Sequence, residues 1–229
     1  MTVERSNRRP SEGGYARGDE TRLRILEVAL TAFGDNGYEG ASTRAIATQA
    51  QSNVAALQYY FGSKDGLYRA CAQHLVVKAQ EGLSEAVALL DDAGPDETRE
   101  ALVERLCQFL DQQAVYLYAD DDTRNWVLFL AREQTRAEPS EAFELIFEQL
   151  ILPMHVKGAR LVGRIMGRPA DDPETKLTMS MLTSLLLTMR VSSQTTSRLM
   201  GWGDVRGERL DMVRAALRTH VESNLRRLC

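Results

Sequence analysis

Apolar residues recur every three or four positions along most of the chain and seldom alternate, a pattern that predicts helices separated by short polar breaks. The first stripe, Leu23, Leu26, Leu30 and Phe33, places a helix from about Asp19 to Asn36, with Gly37 supplying the left-handed residue that stops it. Two short helices follow between Ser42 and Lys64. Ser42 or Thr43 offers a side-chain acceptor to the free N–H groups opening the first, and Ser52 or Asn53 does so for the second. Ile46, Ala47 and Ala50 form the apolar face of the first, and Leu57 and Phe61 that of the second. The other side of the second shows Ala55, Ala56, Gln58 and Tyr59, too small or too polar to build a core. A helix with such a face suits a major groove, which admits it only on close approach.

The remaining apolar periods predict longer helices. A fourth runs from Ser63 through Leu67, Cys71, Leu75, Ala79, Leu83 and Leu90 to Gly94-Pro95, and a fifth is capped by Asp96. A sixth, Thr123 to about Arg136, is apolar nearly all round and must be buried. Pro139 starts a seventh, in which Pro153 removes one ladder bond and predicts a kink or two segments. The eighth spans about Pro173–Met200 and the ninth about Val205–Leu228. The expected fold is all-α, with about nine helices and a small domain sharing a helix with a larger one. The last two helices carry apolar stripes, Leu177, Met181 and Leu185 on one and Leu210, Val213, Leu217 and Val221 on the other. Four such helices from two chains would form a bundle, which predicts a homodimer.

These residues carry a resemblance. The run from Thr21 to Leu75, with Phe33, Gly37 and Tyr38 ending a helix, then Ser42-Thr43-Arg44-x-Ile46-Ala47, Leu57, Phe61 and Lys64-Asp65-x-Leu67, resembles the DNA-binding domain of the TetR family of repressors. The body is similar, more loosely, to the CecR-like branch, in Arg132-Glu133, Pro139-Ser140-x-Ala142, Pro153, Gly167-x-Pro169-x-Asp171-Asp172-Pro173 and Leu199-x-Gly201-Trp202. The resemblance implies a helix-turn-helix domain at 19–63 behind a tail at 1–18, and an effector-binding and dimerisation domain at 64–229. It implies that Arg44, Ala55, Ala56 and Tyr59 face base edges while Thr43, Tyr60 and Lys64 meet phosphates. Gln58 stands where the family often has a phosphate-binding tyrosine, and glutamine can also read adenine. Gln51 and Ser52 replace the usual glycine and apolar residue of the turn.

Charge changes the picture modestly. The chain of 229 residues has a formal charge of −4, yet residues 1–64 hold eight Lys and Arg against seven Asp and Glu. Binding to an operator therefore rests on a few placed contacts more than on a broad basic field. The tail, with Arg5, Arg8, Arg9 and Arg17, reads as disordered, either a solvated segment or an arm for the minor groove. No run is long enough to span a membrane, and a soluble, cytoplasmic protein is expected. Cys71, Cys107 and Cys229 read as reduced residues rather than a thiol sensor, and no metal spacing joins them to His74, His155 or His220. The acidic run Asp120-Asp121-Asp122 reads as a solvated loop. No nucleophile beside a base, paired carboxylates or phosphate loop marks an enzyme, so no cofactor is expected.

Phe109, Tyr116, Trp126, Phe129, Phe143 and Phe147, with Met154, Met181 and Met189, are enough to line a cavity or to fill a core. The resemblance favours the cavity. Arg132, Glu133, His155 and Arg190 are the polar groups to look for near it, because charges on apolar helices need partners. The reading is a dimeric transcriptional repressor that a small, largely apolar effector releases from double-stranded DNA. The rival classes are a helical small-molecule enzyme and a structural adaptor without DNA binding.

Overall fold

The computed structural model describes residues 12–91 and 94–227, and among them every regular element is helical. Three helices form a head: α1 (Glu12–Gly40), α2 (Thr43–Gln49) and α3 (Val54–Phe61). α4 (Lys64–Gly82) leads out of it to a single turn, α5 (Ser84–Ala88), then to α6 (Arg99–Leu117), α7 (Asp121–Gln134) and α8 (Glu141–Ile146). A π-helical stretch, Phe147–Ile151, joins α8 to α9 (Leu152–Met166), and α10 (Pro173–Val191), α11 (Ser193–Met200) and α12 (Glu208–Arg227) follow.

The nine expected helical stretches are present, three of them subdivided. The fourth is not one rod to Leu90. It breaks at Leu83, where the backbone turns to φ −104, ψ 5. Beside the break the chain is pressed against Tyr116, whose ring would lie 2.2 Å from a Cβ on Gly82. The seventh is not severed by its proline. The π stretch shifts the hydrogen-bond register, with Leu152 N–H reaching Phe147 O, and Pro153 then occupies the first turn of α9, where a missing N–H costs nothing. The eighth divides at Ser192, φ −88 and ψ 19.

Helix ends also differ from expectation. α1 starts at Glu12, so residues 12–18, expected in the tail, are helical; residues 1–11, with Arg5, Arg8 and Arg9, lie outside the described residues, as does Cys229. Its inward face is Ile25, Leu26, Ala29, Leu30 and Phe33, whereas Leu23 is 42% exposed. Gly37, at φ 71, kinks α1 before a last turn to Gly40. Thr98, not Asp96, caps α6. Asp120 caps α7 in a reciprocal box with Thr123, so the acidic run is a helix start whose carboxylates sit at the positive end of the dipole.

Two hydrophobic clusters fill the molecule. The head cluster, around Ile25, Leu30, Phe33, Ile46 and Leu57, continues along α4 and is closed by Phe129 and Leu130 of α7 and Ala142 and Ile146 of α8. A head of that size cannot bury enough surface alone. The body cluster centres on Leu106, Phe109 and Leu110 of α6, packed by α9, α10 and α12. Val213, Leu217 and Val221, expected at a dimer interface, belong to it at 6%, 5% and 0% exposure. They pack against α6, and beside them Arg214 and Arg218 form forked ion pairs with Asp111 and Glu104 of that helix. Leu210, expected with them, is half-buried against the same cluster.

Candidate nucleic-acid interface and ligand grooves

The turn between α2 and α3 is closed by the backbone. Gln51 N–H reaches Thr48 O at 3.0 Å and Ser52 N–H reaches Ala47 O at 2.8 Å, a double closure that needs a left-handed residue. Gln51 takes that conformation, φ 48, although a side chain there costs roughly 1–2 kcal/mol. Arg24 of α1 donates its Nε to Ala50 O at 2.7 Å and holds the end of α2. Of the proposed caps, Ser42 and Asn53 are the ones used, Asn53 with its Oδ1 2.8 Å from Ala56 N. Ser63 caps α4, and at Gly66 a Cβ would lie 1.9 Å from Phe61 O, so α4 can begin against the end of α3 only with glycine there.

On α3 only Leu57 is buried. Ala55 and Gln58 are exposed, Ala56 is half-buried, and Tyr59 is 83% exposed. Tyr60 is half-buried, its ring edge-on to Tyr59 at 5.1 Å, so the two successive aromatics divide between solvent and the head. Arg44 is exposed in the first turn of α2, beside a half-buried Thr43. Lys64 holds its Nζ 4.5 Å above the Tyr38 ring and 3.4 Å from Glu39 O. All eight side chains expected to meet DNA are thus at least partly open to solvent.

Behind this face lies a polar junction that joins head to body. Tyr68 of α4 donates to Glu133 Oε1 of α7 at 2.5 Å, Ser140 donates to Glu133 Oε2, and Arg136 sits 3.8 Å from the same carboxylate. Glu133 is 2% exposed, so these partners offset its desolvation. Burial and the bond to Glu133 push the Tyr68 hydroxyl well above its usual range. Nearby, Tyr38 donates to Asp65 at 2.5 Å, and that bond, with burial, raises its pKa to about 12. Tyr68 packs edge to face with Phe33 and Tyr38 and tilted against Phe129 around the network. Arg132, expected near an effector, instead donates to Gly34 O at 3.3 Å and Asp35 O at 2.9 Å near the end of α1. Arg190 does the same for α6, meeting Leu117 O at 2.8 Å and Asp120 O at 3.0 Å. Both arginines serve helix carbonyls, a use that no spacing in the sequence announces.

The expected cavity residues scatter. Phe109 and Phe129 are fully buried in the two cores. Tyr116 and Trp126 pack on each other at 6.3 Å, and Phe143 stacks on Phe147 at 6.1 Å. Met189 is half-buried against the body core and Met154 lies inside it, while Met181 is 64% exposed. Phe147 and His155 alone of these line a groove of about 630 Å³ between α9 and α10, with Ile151, Leu152, Val156, Ala159, Arg160, Lys176 and Ser180. A second groove, about 550 Å³, separates α10 from α12 and is lined by Leu177, Met181, Leu185, His220 and Asn224. Cys71 and Cys107 are buried, which pushes both thiols up, Cys107 to about 11, and leaves them poor nucleophiles. Among the described residues no cluster of ligand side chains could hold a metal, and no helix is long and apolar enough to cross a membrane.

Residues 25–71 match the profile of bacterial regulatory proteins of the tetR family, and residues 102–228 match the C-terminal domain of the HTH-type transcriptional dual regulator CecR. With the helix-turn-helix head and all-helical body, this defines the class: the chain belongs to the TetR family of transcriptional regulators, and its body to the CecR branch. Among its relatives, the dual regulator CecR of Shigella flexneri is 32% identical over 211 residues, covering 90% of this chain and 92% of that one. The repressor NicS of Pseudomonas putida is 35% identical over 85 residues, 37% of this chain and 39% of its own. A transcriptional regulator from Rhodococcus sp. shares the fold at a TM-score of 0.61 and 20% identity, covering 90% of this chain and 96% of that one. AibR, in complex with isovaleryl coenzyme A and operator DNA, does so at 0.61 and 17%, covering 86% and 97%. The protein is a DNA-binding transcriptional regulator.

Proposed function

We propose that two copies of the chain bind a double-stranded operator through their α3 faces, and that a small effector held in the body lowers that affinity. The observation that carries the reading is the open face of α3, where Ala55, Ala56, Gln58 and an 83% exposed Tyr59 stand beside the exposed Arg44. Small residues allow close approach, and the longer ones reach base edges. Thr43, Tyr60 and Lys64 serve phosphates. AibR, which shares the fold, is seen with both a ligand and operator DNA. The body acts as a binding module and performs no catalysis.

Dimerisation uses the α10–α12 groove rather than the inner stripe of α12. Leu177 and Met181 are 59% and 64% exposed there, an apolar strip that a second copy would cover. Two recognition helices held about 34–36 Å apart then meet successive major grooves on one side of the duplex. Because the head completes its core with body residues, a change in the body cannot leave the head where it was. The coupling is reciprocal: a tenfold loss of operator affinity on binding effector implies a tenfold loss of effector affinity on binding operator.

The test is an anisotropy titration of operator and random duplexes. Arg44→Ala and Tyr59→Ala each cost about 1–3 kcal/mol on the operator and little on random DNA, because base contacts carry discrimination. Lys64→Ala weakens both and lowers the salt slope by about one per site. Equal losses on both duplexes for all three variants would overturn the division of roles.

A further inference from the structure

The α9–α10 groove combines a long apolar wall with two cations that make no ion pair among the described residues. Along the π stretch and the start of α9 its wall is Phe147, Ile151, Leu152 and Val156, of which three are 37%, 43% and 45% exposed: Phe147, Leu152 and Val156. Water-exposed apolar side chains in one continuous strip cost free energy unless something covers them. The π stretch contributes to the strip, since Phe147 and Ile151 are its first and last residues, and such register shifts gather at functional positions.

The basic residues around the groove divide into two kinds. Lys157 pairs with Asp91, Arg164 donates to Gly94 O at 2.8 Å, and Arg168 bridges Asp172 and Glu174. Arg160 and Lys176, which line the groove, make no ion pair and no side-chain hydrogen bond among the described residues. Asp171 is the one acidic side chain in the lining, and it too pairs with neither. His155 and Ser180 face each other across the groove at 3.2 Å, which fixes α9 against α10 with residue 176 one turn from Ser180, toward Arg160. Nine residues of helix separate Ile151 from Arg160, about 14 Å at 1.5 Å per residue. The apolar wall and the cationic end are therefore separate regions of one trough, and its volume lies in the range of small-molecule sites.

We propose that this groove binds an amphipathic monoanion, its apolar body along Phe147, Ile151, Leu152 and Val156 and its carboxylate or equivalent head between Arg160 and Lys176. The site lies on the flank of α10 opposite the α10–α12 groove, so a partner covering Leu177 and Met181 leaves it open. A ligand there bears on α9 and α10 together, and through the π stretch on α8, whose Ile146 closes the head core. As the effector of the regulator, the ligand rests on the function proposed above; as an occupant of the groove, it does not.

Calorimetric titration of the full-length protein with decanoate, kept below its micelle concentration, tests the proposal. Saturable binding is expected, at least tenfold weaker in Arg160→Ala/Lys176→Ala and abolished in Val156→Arg, which puts a bulky charge on the exposed wall without touching the core. Decyltrimethylammonium, with the same tail and the opposite head, should bind at least tenfold more weakly than decanoate. Equal binding of the two amphiphiles, no saturable binding of decanoate to the wild type, or undiminished binding in variants that retain the wild-type melting temperature, overturns the site. The effector role is read separately: decanoate should weaken operator binding in the wild type and not in Val156→Arg. Unchanged operator affinity with saturated groove overturns that role and leaves the site standing, whereas failure to bind any operator, with or without decanoate, strikes at the DNA-binding reading instead.

Discussion

The head–body junction and the flanks of α10 are built from opposite materials. At the junction each buried polar group has a partner: Glu133 takes Tyr68 and Ser140, Arg132 takes two carbonyls of α1, and Asn125 donates to Thr31 at 2.9 Å. Gly34 lets α7 approach so closely that a Cβ there would sit 3.1 Å from Asn125 O. On the flanks of α10, by contrast, Leu177, Met181, Leu152 and Val156 stay open to water, and Arg160 and Lys176 make no ion pair among the described residues. A surface whose hydrogen bonds are all used holds two parts in one orientation. One with spare apolar area and spare charge has capacity left for a second molecule. In the function proposed above, the first holds the head against the body and the second receives the effector.

The comparison can be broken most severely at α12, which has both kinds of surface near it. Leu217→Glu should cost about 4 kcal/mol or more, because it loses a buried side chain and leaves an unpaired carboxylate in the core. Leu177→Glu/Met181→Glu, two charges on the outer flank, should leave the melting temperature of the subunit within the range of a surface change, about 0.5 kcal/mol. Sedimentation should nevertheless show this second variant as a monomer. If it stays a dimer, the α10–α12 groove is not the interface.

Smaller effects sharpen the account of the junction. Glu133→Ala should cost about 3 kcal/mol, since two hydroxyls and a guanidinium lose their buried acceptor. Tyr68→Phe, removing one donor from a carboxylate that keeps Ser140 and Arg136, should cost about 1.5 kcal/mol. Both are read by chemical denaturation. A Glu133→Ala variant no less stable than wild type would mean that the network contributes nothing net. The smallest change expected is a gain: Gln51→Gly relieves the left-handed side chain but adds freedom to the unfolded chain, leaving about 0.5 kcal/mol of stabilisation. A loss there would show that the glutamine side chain supports the turn.

The helical class, the order of stretches, the caps to within a choice of two residues each (Ser42 or Thr43, Ser52 or Asn53) and the open face of α3 are legible in the residues themselves. Each rests on local rules: a period, a cap, a residue too small or too polar for a core. Gln51 was visible as a departure from the pattern, and its positive φ shows that the backbone, not the side chain, sets the turn. What spacing left open was which neighbour each stripe would meet. The stripe of Val213, Leu217 and Val221 is equally fit for α6 of its own chain or for a second copy, and in the fold it is buried in the body core, flanked by two forked ion pairs to α6. Phe109 and Phe129 are as suited to lining a cavity as to filling a core, and close packing made them core.

The sequence alone therefore determined where helices form and which residues face away from any core, because hydrogen bonding along the backbone and amphipathic period act within a few residues. Only the tertiary structure decided that Arg132 and Arg190 serve backbone carbonyls, that Glu133 ties α7 to α4, and that Arg160 and Lys176 line one apolar trough. The hydrogen bonds among these join residues far apart in the chain, such as Tyr68 with Glu133 at a separation of 65. No periodicity reaches that far; such contacts exist only once packing has brought the helices together.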